Sequence, residues 1–122
     1  MNTYRQKLGR WGEEAAAEFL QRQGCSIRGK NIRTPHGEID LVVEFTGEVH
    51  FVEVKTRTNT RYGNPEEAIS REKYQHMSAA AEWYMSQNPD SGNVWHLDVV
   101  AIIGSPPSDE LNFEWFRDVE VG

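Results

Sequence analysis

The sequence predicts an α/β fold: a mixed central sheet flanked by helices, with elements in the order α-β-β-β-α-β-β. Three observations carry this. Two segments have apolar residues at helical spacing, a pair of period-2 segments flanks a short turn, and a late run is apolar on both faces. With 122 residues, the chain is read as one domain, 1–122, able to bury a single core.

From about Thr3 to Gln23, Leu8, Trp11, Ala15, Ala16, Phe19 and Leu20 repeat with a helical period, and Gly24 is a natural C-terminal stop. Residues 25–33 read as a strand, and Thr34-Pro35-His36-Gly37 as a turn. A hairpin follows. Glu38 to Phe45 puts Ile39, Leu41, Val43 and Phe45 on one face, with Glu38, Asp40, Val42 and Glu44 on the other. Across the turn Thr46-Gly47, Glu48 to Lys55 sets Val49, Phe51, Glu53 and Lys55 opposite in facing to His50, Val52 and Val54.

Residues 56–63 form a polar loop. A second helix is expected to start at Asn64-Pro65-Glu66-Glu67, with N-cap, proline at N1 and an acid at N3, and to run to about Gln87. Val94 to Ile103 is the strand apolar on both faces, hence central. Beyond Gly104-Ser105-Pro106-Pro107, Asn112 to Val119 reads as an edge strand on which Trp115 is exposed and available for a dimer contact.

The net charge of -6 argues against a nucleic-acid partner, but its distribution does not. Residues 1–73 carry 12 of the 13 basic side chains against 11 acids, while residues 74–122 carry Arg117 against eight acids. A phosphate-facing surface has to come from the first part. A lone Cys25 excludes an intrachain disulfide and suits a reducing, cytoplasmic setting. No apolar run approaches the roughly 20 residues of a membrane span. The four histidines are scattered and show no zinc-ligand spacing.

The chemistry concentrates in the hairpin. If Phe45 pairs with Glu48 across a two-residue loop, Asp40 lies opposite Glu53 and Glu38 opposite Lys55, all on one face. Facing carboxylates repel unless a cation neutralises them. Mg²⁺ or Mn²⁺ held by Asp40 and Glu53 meets that need, since such ions take one or two carboxylates, waters and a substrate phosphate. Lys55 then stands where it orients the attacking water or stabilises phosphoryl charge. The plainer alternative is a solvated hairpin face with a Glu38–Lys55 surface pair. Against it, the charges interrupt the otherwise apolar Phe51-Val52-Glu53-Val54-Lys55.

Gly37-Glu38-Ile39-Asp40-Leu41-Val42 followed by Phe51-Val52-Glu53-Val54-Lys55-Thr56-Arg57 resembles the signature of the YraN-type family of small bacterial proteins. That family is placed in the PD-(D/E)xK nuclease superfamily and is related to archaeal Holliday-junction resolvases. Gly12-Glu13, Asn31-Ile32-Arg33, Tyr62-Gly63, Lys73 and Leu97-Asp98-Val99-Val100 extend the likeness over nearly the whole chain, whereas the superfamily's usual proline before the Asp is Ile39 here. The resemblance implies a metal-dependent endonuclease acting on DNA, branched or structured, in which Glu13 joins Asp40, Glu53 and Lys55, and whose junction-resolving relatives act as dimers.

Glu13 has its own weaker support at the border of the first helix's apolar stripe, where placement in an early helical turn explains it equally well. Arg57 and Arg61 are candidate phosphate contacts, or ordinary loop arginines. Lys73 lies on an inward stripe and either reaches a phosphate or snorkels to the surface. The rival function is a non-catalytic nucleic-acid-binding or protein-interaction module on the same scaffold, and a third reading is an RNase.

Overall fold

A computed structural model of the chain describes residues 4–57, 69–104 and 111–119. The elements are α1 (Tyr4–Arg22), β1 (Ser26–Thr34), β2 (Gly37–Phe45), β3 (Glu48–Arg57), α2 (Arg71–Gln87), a short 3-10 turn (Pro89–Ser91), β4 (Trp95–Ile103) and β5 (Asn112–Phe116). The five strands form one mixed sheet in sequential order, with β3 and β4 parallel and the other pairs antiparallel. The α-β-β-β-α-β-β order is as predicted and is consistent with a restriction-endonuclease-like fold.

The end of α1 follows from Gly24. Its φ of 101° is open to glycine, and it lets the Cys25 N–H reach Leu20 O at 3.0 Å while the Gly24 N–H reaches Gln21 O at 3.0 Å. Those two bonds make a Schellman cap, and its apolar contact, Leu20 with Cys25, lies in the core.

At α2 the structure corrects the sequence. The expected start, Asn64 to Glu67, lies outside the described residues, but Ile69 and Ser70 are not helical. The helix begins at Arg71, and Ser70 caps it by accepting the Lys73 N–H on Oγ at 3.0 Å. Serine satisfies an otherwise orphaned amide of the first turn as well as asparagine does.

The sheet has a core on each face. Ala16 and Leu20 of α1 pack on Leu41, Val43, Val52, Val100 and Ile102. Ala80, Ala81 and Tyr84 of α2 pack on Val42, Val49, Phe51 and Leu97. The expected alternation holds along β3. It slips in β2, where Ile39 joins the α2 side with Val42 instead of following Leu41 and Val43. The slip sits beside Asn31, whose φ of 51° interrupts β1, and at the point where β2 stops pairing with β3.

Trp115 also departs from expectation. It is half-buried: its Nε1 donates to Asp98 Oδ2 at 2.8 Å and its ring packs against the α1-side core. Asp98 is fully buried and takes two further bonds, from His50 Nδ1 at 2.6 Å and from the Asp118 N–H at 3.0 Å. A buried carboxylate needs such partners, and these give it a structural role on the face away from Glu53.

Candidate active site

The hairpin register is the predicted one: Phe45 pairs with Glu48 and the ladder runs to Leu41–Val52. There it ends. Asp40 replaces the next rung with its side chain, whose Oδ2 accepts the Val54 N–H at 2.9 Å. Beyond this point β2 pairs only with β1, with Glu38 opposite Arg33, so the expected Glu38–Lys55 pairing does not form. The divergence opens the sheet at its end, and the carboxylates occupy the opening.

Asp40, Glu38 and Glu53 line a crevice of about 10 Å³ together with the apolar side chains of Phe51 and Met77. That is roughly the space of one water-sized body. Glu53 is only 7% exposed. Its Oε1 lies 3.5 Å from Lys55 Nζ and 3.4 Å from Lys73 Nζ, so a lysine from its own strand and one from α2 meet on a single carboxylate. Lys73 therefore does not simply snorkel away. Asp40 is pushed up to about 7, first by burial and next by the charge of Glu53; the Val54 N–H opposes the shift, Glu13 adds to it, and Lys73 opposes it.

Glu13 reaches the site because α1 comes unusually close to β3. A Cβ on Gly12 would lie 2.7 Å from Thr56 Cγ2, so only glycine permits this approach. Glu13 is half-buried and its carboxyl is raised, chiefly by burial; the Asn31 side chain bonds it and pulls the other way, while Glu38 and Glu53 repel it and Arg10 attracts it. Asn31, named from the sequence only within the Asn31-Ile32-Arg33 likeness, is thus the bonding partner of Glu13, a role the sequence pattern does not assign. Its left-handed backbone in an otherwise extended strand is the structural mark of its position.

Arg57 is exposed at the end of β3, two residues past Lys55, with its Nη1 donating to Thr56 O at 2.9 Å. Arg61 lies outside the described residues. His50 points to the opposite face, and His36 is part of the exposed turn, its N–H bonded to Thr34 Oγ1 at 3.0 Å. The structure thus brings together Asp40, Glu53, Lys55, Lys73 and, through the close approach of α1 to β3, Glu13.

The donor set suits one hard divalent cation. Among the described residues no three His, Cys, Asp or Glu side chains converge into a cage. Two carboxylates, Glu53 buried and Asp40 half-buried, beside an open side could hold an ion that keeps its waters, the preference of Mg²⁺ and Mn²⁺.

The model of the family described as "Uncharacterised protein family UPF0102" matches residues 12–102, a span that includes all of these side chains. The chain belongs to the UPF0102 family. This is the YraN-type family whose motifs the hairpin resembles. A UPF0102 protein of Syntrophotalea carbinolica is 42% identical over 116 residues, covering 95% of this chain and 93% of that one. One of Syntrophomonas wolfei is 41% identical over 106 residues, covering 87% and 92%. One of Neisseria gonorrhoeae is 39% identical over 113 residues, covering 93% and 94%. UPF0102 membership thus extends over both helices and the sheet. Among the described residues no helix is long and apolar enough to cross a membrane.

Proposed function

We propose that this UPF0102 chain is a metal-dependent endonuclease that hydrolyses phosphodiester bonds of DNA. The observation that carries the reading is the pairing of half-buried Asp40 with buried Glu53 at the open end of the sheet, with Lys55 and Lys73 both on Glu53. Buried like charges are costly, and a fold that keeps them beside two lysines is suited to bind a cation and an anion together.

In this reading Asp40 and Glu53 hold Mg²⁺ or Mn²⁺, which when bound supplies Lewis-acid activation of the phosphate and of water. The Val54 N–H fixes the orientation of Asp40. Lys55, released from Glu53, orients the attacking water or neutralises a phosphoryl oxygen. Glu13, hydrogen-bonded by the Asn31 side chain, adds a further carboxyl to the site. Lys73 and Arg57, with Arg61, hold backbone phosphates. A homodimer would offer two such sites to two strands, which suits branched DNA. The single buried Cys25 fits a cytoplasmic location.

The test is cleavage of labelled linear, flapped and four-way-junction DNA with Mg²⁺ and with Mn²⁺. Wild-type cutting that disappears in Asp40→Asn, in Lys55→Ala and in EDTA is the expected result. Failure to cut at any metal concentration overturns it in favour of a non-catalytic nucleic-acid-binding or protein-interaction module, the reading that the acidic stretch 74–122 and the modest basic surface favour. RNA of the same structure, cut in place of DNA, moves the assignment to an RNase.

A further inference from the structure

A second cavity adjoins the carboxylate crevice. It is a cleft of about 540 Å³ between α1 and β1, walled by Gly9, Arg10, Glu13, Asn31, Arg33 and Glu38. Glu38 lines both cavities, so they adjoin at that residue. The chemistry differs between them. One holds the acid pair, with its two lysines; the other carries two arginines, both exposed. Arg33 stands across the ladder from Glu38, yet makes no ion pair among the described residues. A guanidinium left beside a carboxylate without bonding it presents its donors to a ligand in the cleft, and the planar fork of arginine matches a phosphate.

The size selects the ligand. A volume of about 540 Å³ lies in the range that encloses a small organic molecule and gives room for about one nucleotide. The cleft has polar as well as cationic walls: Asn31 and Glu13 supply an amide and a carboxyl, the complement of a sugar hydroxyl or a base edge.

We propose that the α1–β1 cleft is a subsite for one unpaired nucleotide next to the scissile phosphate, with Arg33 and Arg10 on its phosphate and Asn31–Glu13 on its sugar or base. The proposal rests on the nuclease reading for its place along the strand, and it gives that reading a substrate class: DNA that is single-stranded on one side of the cut. It also explains the use of arginines on α1 and β1, outside the sequence segments that carry the acid pair.

The subsite is tested apart from hydrolysis. Binding of a fluorescent twelve-residue oligo-dT, and of a blunt duplex of equal length, is measured by anisotropy over a salt series. The Asp40→Asn protein with Mg²⁺ is compared with the same protein carrying Arg33→Glu, Arg33→Lys or Arg10→Ala. The expected result is roughly tenfold weaker oligo-dT binding for Arg33→Glu, a salt slope lower by about 0.7 for each phosphate no longer neutralised, partial recovery in Arg33→Lys, and little change for the duplex.

Equal weakening of both ligands, or of neither, overturns the subsite. Cleavage assays on a flap separate the two claims. If the protein with Asp40 intact cuts and Arg33→Glu leaves KM unchanged, the subsite fails and the nuclease stands. If it never cuts but oligo-dT binding still depends on Arg33, the nuclease fails and the subsite stands.

Discussion

The Val54 N–H donates to Asp40 Oδ2 at 2.9 Å, taking the place of the rung that would follow Leu41–Val52 in the β2–β3 ladder. One side chain thus ends the strand pairing and holds its own carboxylate against Glu53. The neighbouring lysines pair with Glu53, and the bond to Asp40 is a neutral amide, so Asp40 bears the electrostatic burden of the site.

Asp40→Asn should therefore abolish cleavage while making the metal-free protein more stable. Asparagine can still accept the Val54 N–H through its amide oxygen, and the repulsion with Glu53 is gone. A gain of about 1 kcal/mol corresponds to a Tm rise of roughly 4 °C for a domain of this size. Thermal unfolding in EDTA reads it directly; a lower Tm would mean that Asp40 is a structural residue.

Metal binding should depend on pH in a set direction. The folded carboxyl of Asp40 titrates at about 7, against an ordinary value near 3.8. The folded state therefore holds a proton that the unfolded state releases, and Asp40's contribution to stability falls as pH rises from about 4 to 7. A cation must displace that proton. The Tm increase caused by Mn²⁺ should be small at pH 5.5 and larger at pH 8, and Asp40→Asn should flatten the difference. An equal shift at both pH values would place the ion elsewhere.

Gly12→Ala should destabilise the protein by about 1–3 kcal/mol, the usual cost of overpacking. The added Cβ meets Thr56 Cγ2 at 2.7 Å but Oγ1 only at 3.5 Å. Thr56→Ser removes the offending methyl, so the double variant should recover much of the stability. A double-mutant cycle by urea unfolding checks this, and simple additivity would count against the close approach.

Much of this was legible in the hairpin and little of it in the helices. Asp40, Glu53 and Lys55 sit in strands whose alternation and two-residue loop determine what faces what, so their register followed from counting. Ile39 and Glu38 escaped that counting because β2 leaves β3 at Asp40, and a period-2 pattern carries no sign of where pairing ends. Asn64 reads locally as a good cap, and so does Ser70. Local chemistry could not rank them, since packing of α2 on the sheet takes part in the choice. Asn31 and Arg33 were legible only as part of the Asn31-Ile32-Arg33 likeness; their place beside the site follows from the β1–β2 pairing and the approach of α1.

His96 offers a second pH window, independent of Asp40. Burial alone would lower its pKa, but hydrogen bonds with Glu48 at 2.8 Å and Asp118 at 2.6 Å outweigh that and raise it. A raised histidine contributes its stability in full below about pH 6.5 and loses it as pH rises through the folded value. The neighbouring groups are Glu48, Asp118, the His50 ring stacked at 4.2 Å, and Asp98 behind it. With Asp118 66% exposed, the effect should be no more than about 1 kcal/mol. His96→Gln should remove the decline in Tm above neutrality and leave the steeper change at lower pH in place.

The parallel pairing of β3 with β4 has a consequence for the order of assembly. The antiparallel strands β1, β2 and β3 are joined by short turns, so Asp40, Glu53 and Lys55 can meet through contacts close in sequence. β4 must wait for the chain to cross over through α2, and closing that longer loop costs more entropy before any contact rewards it. Refolding followed by pulsed hydrogen exchange should protect the amides of β2 and β3 before those of β4. In that order the acidic half of the site forms early, as a bare hairpin, and the lysine of α2 arrives last.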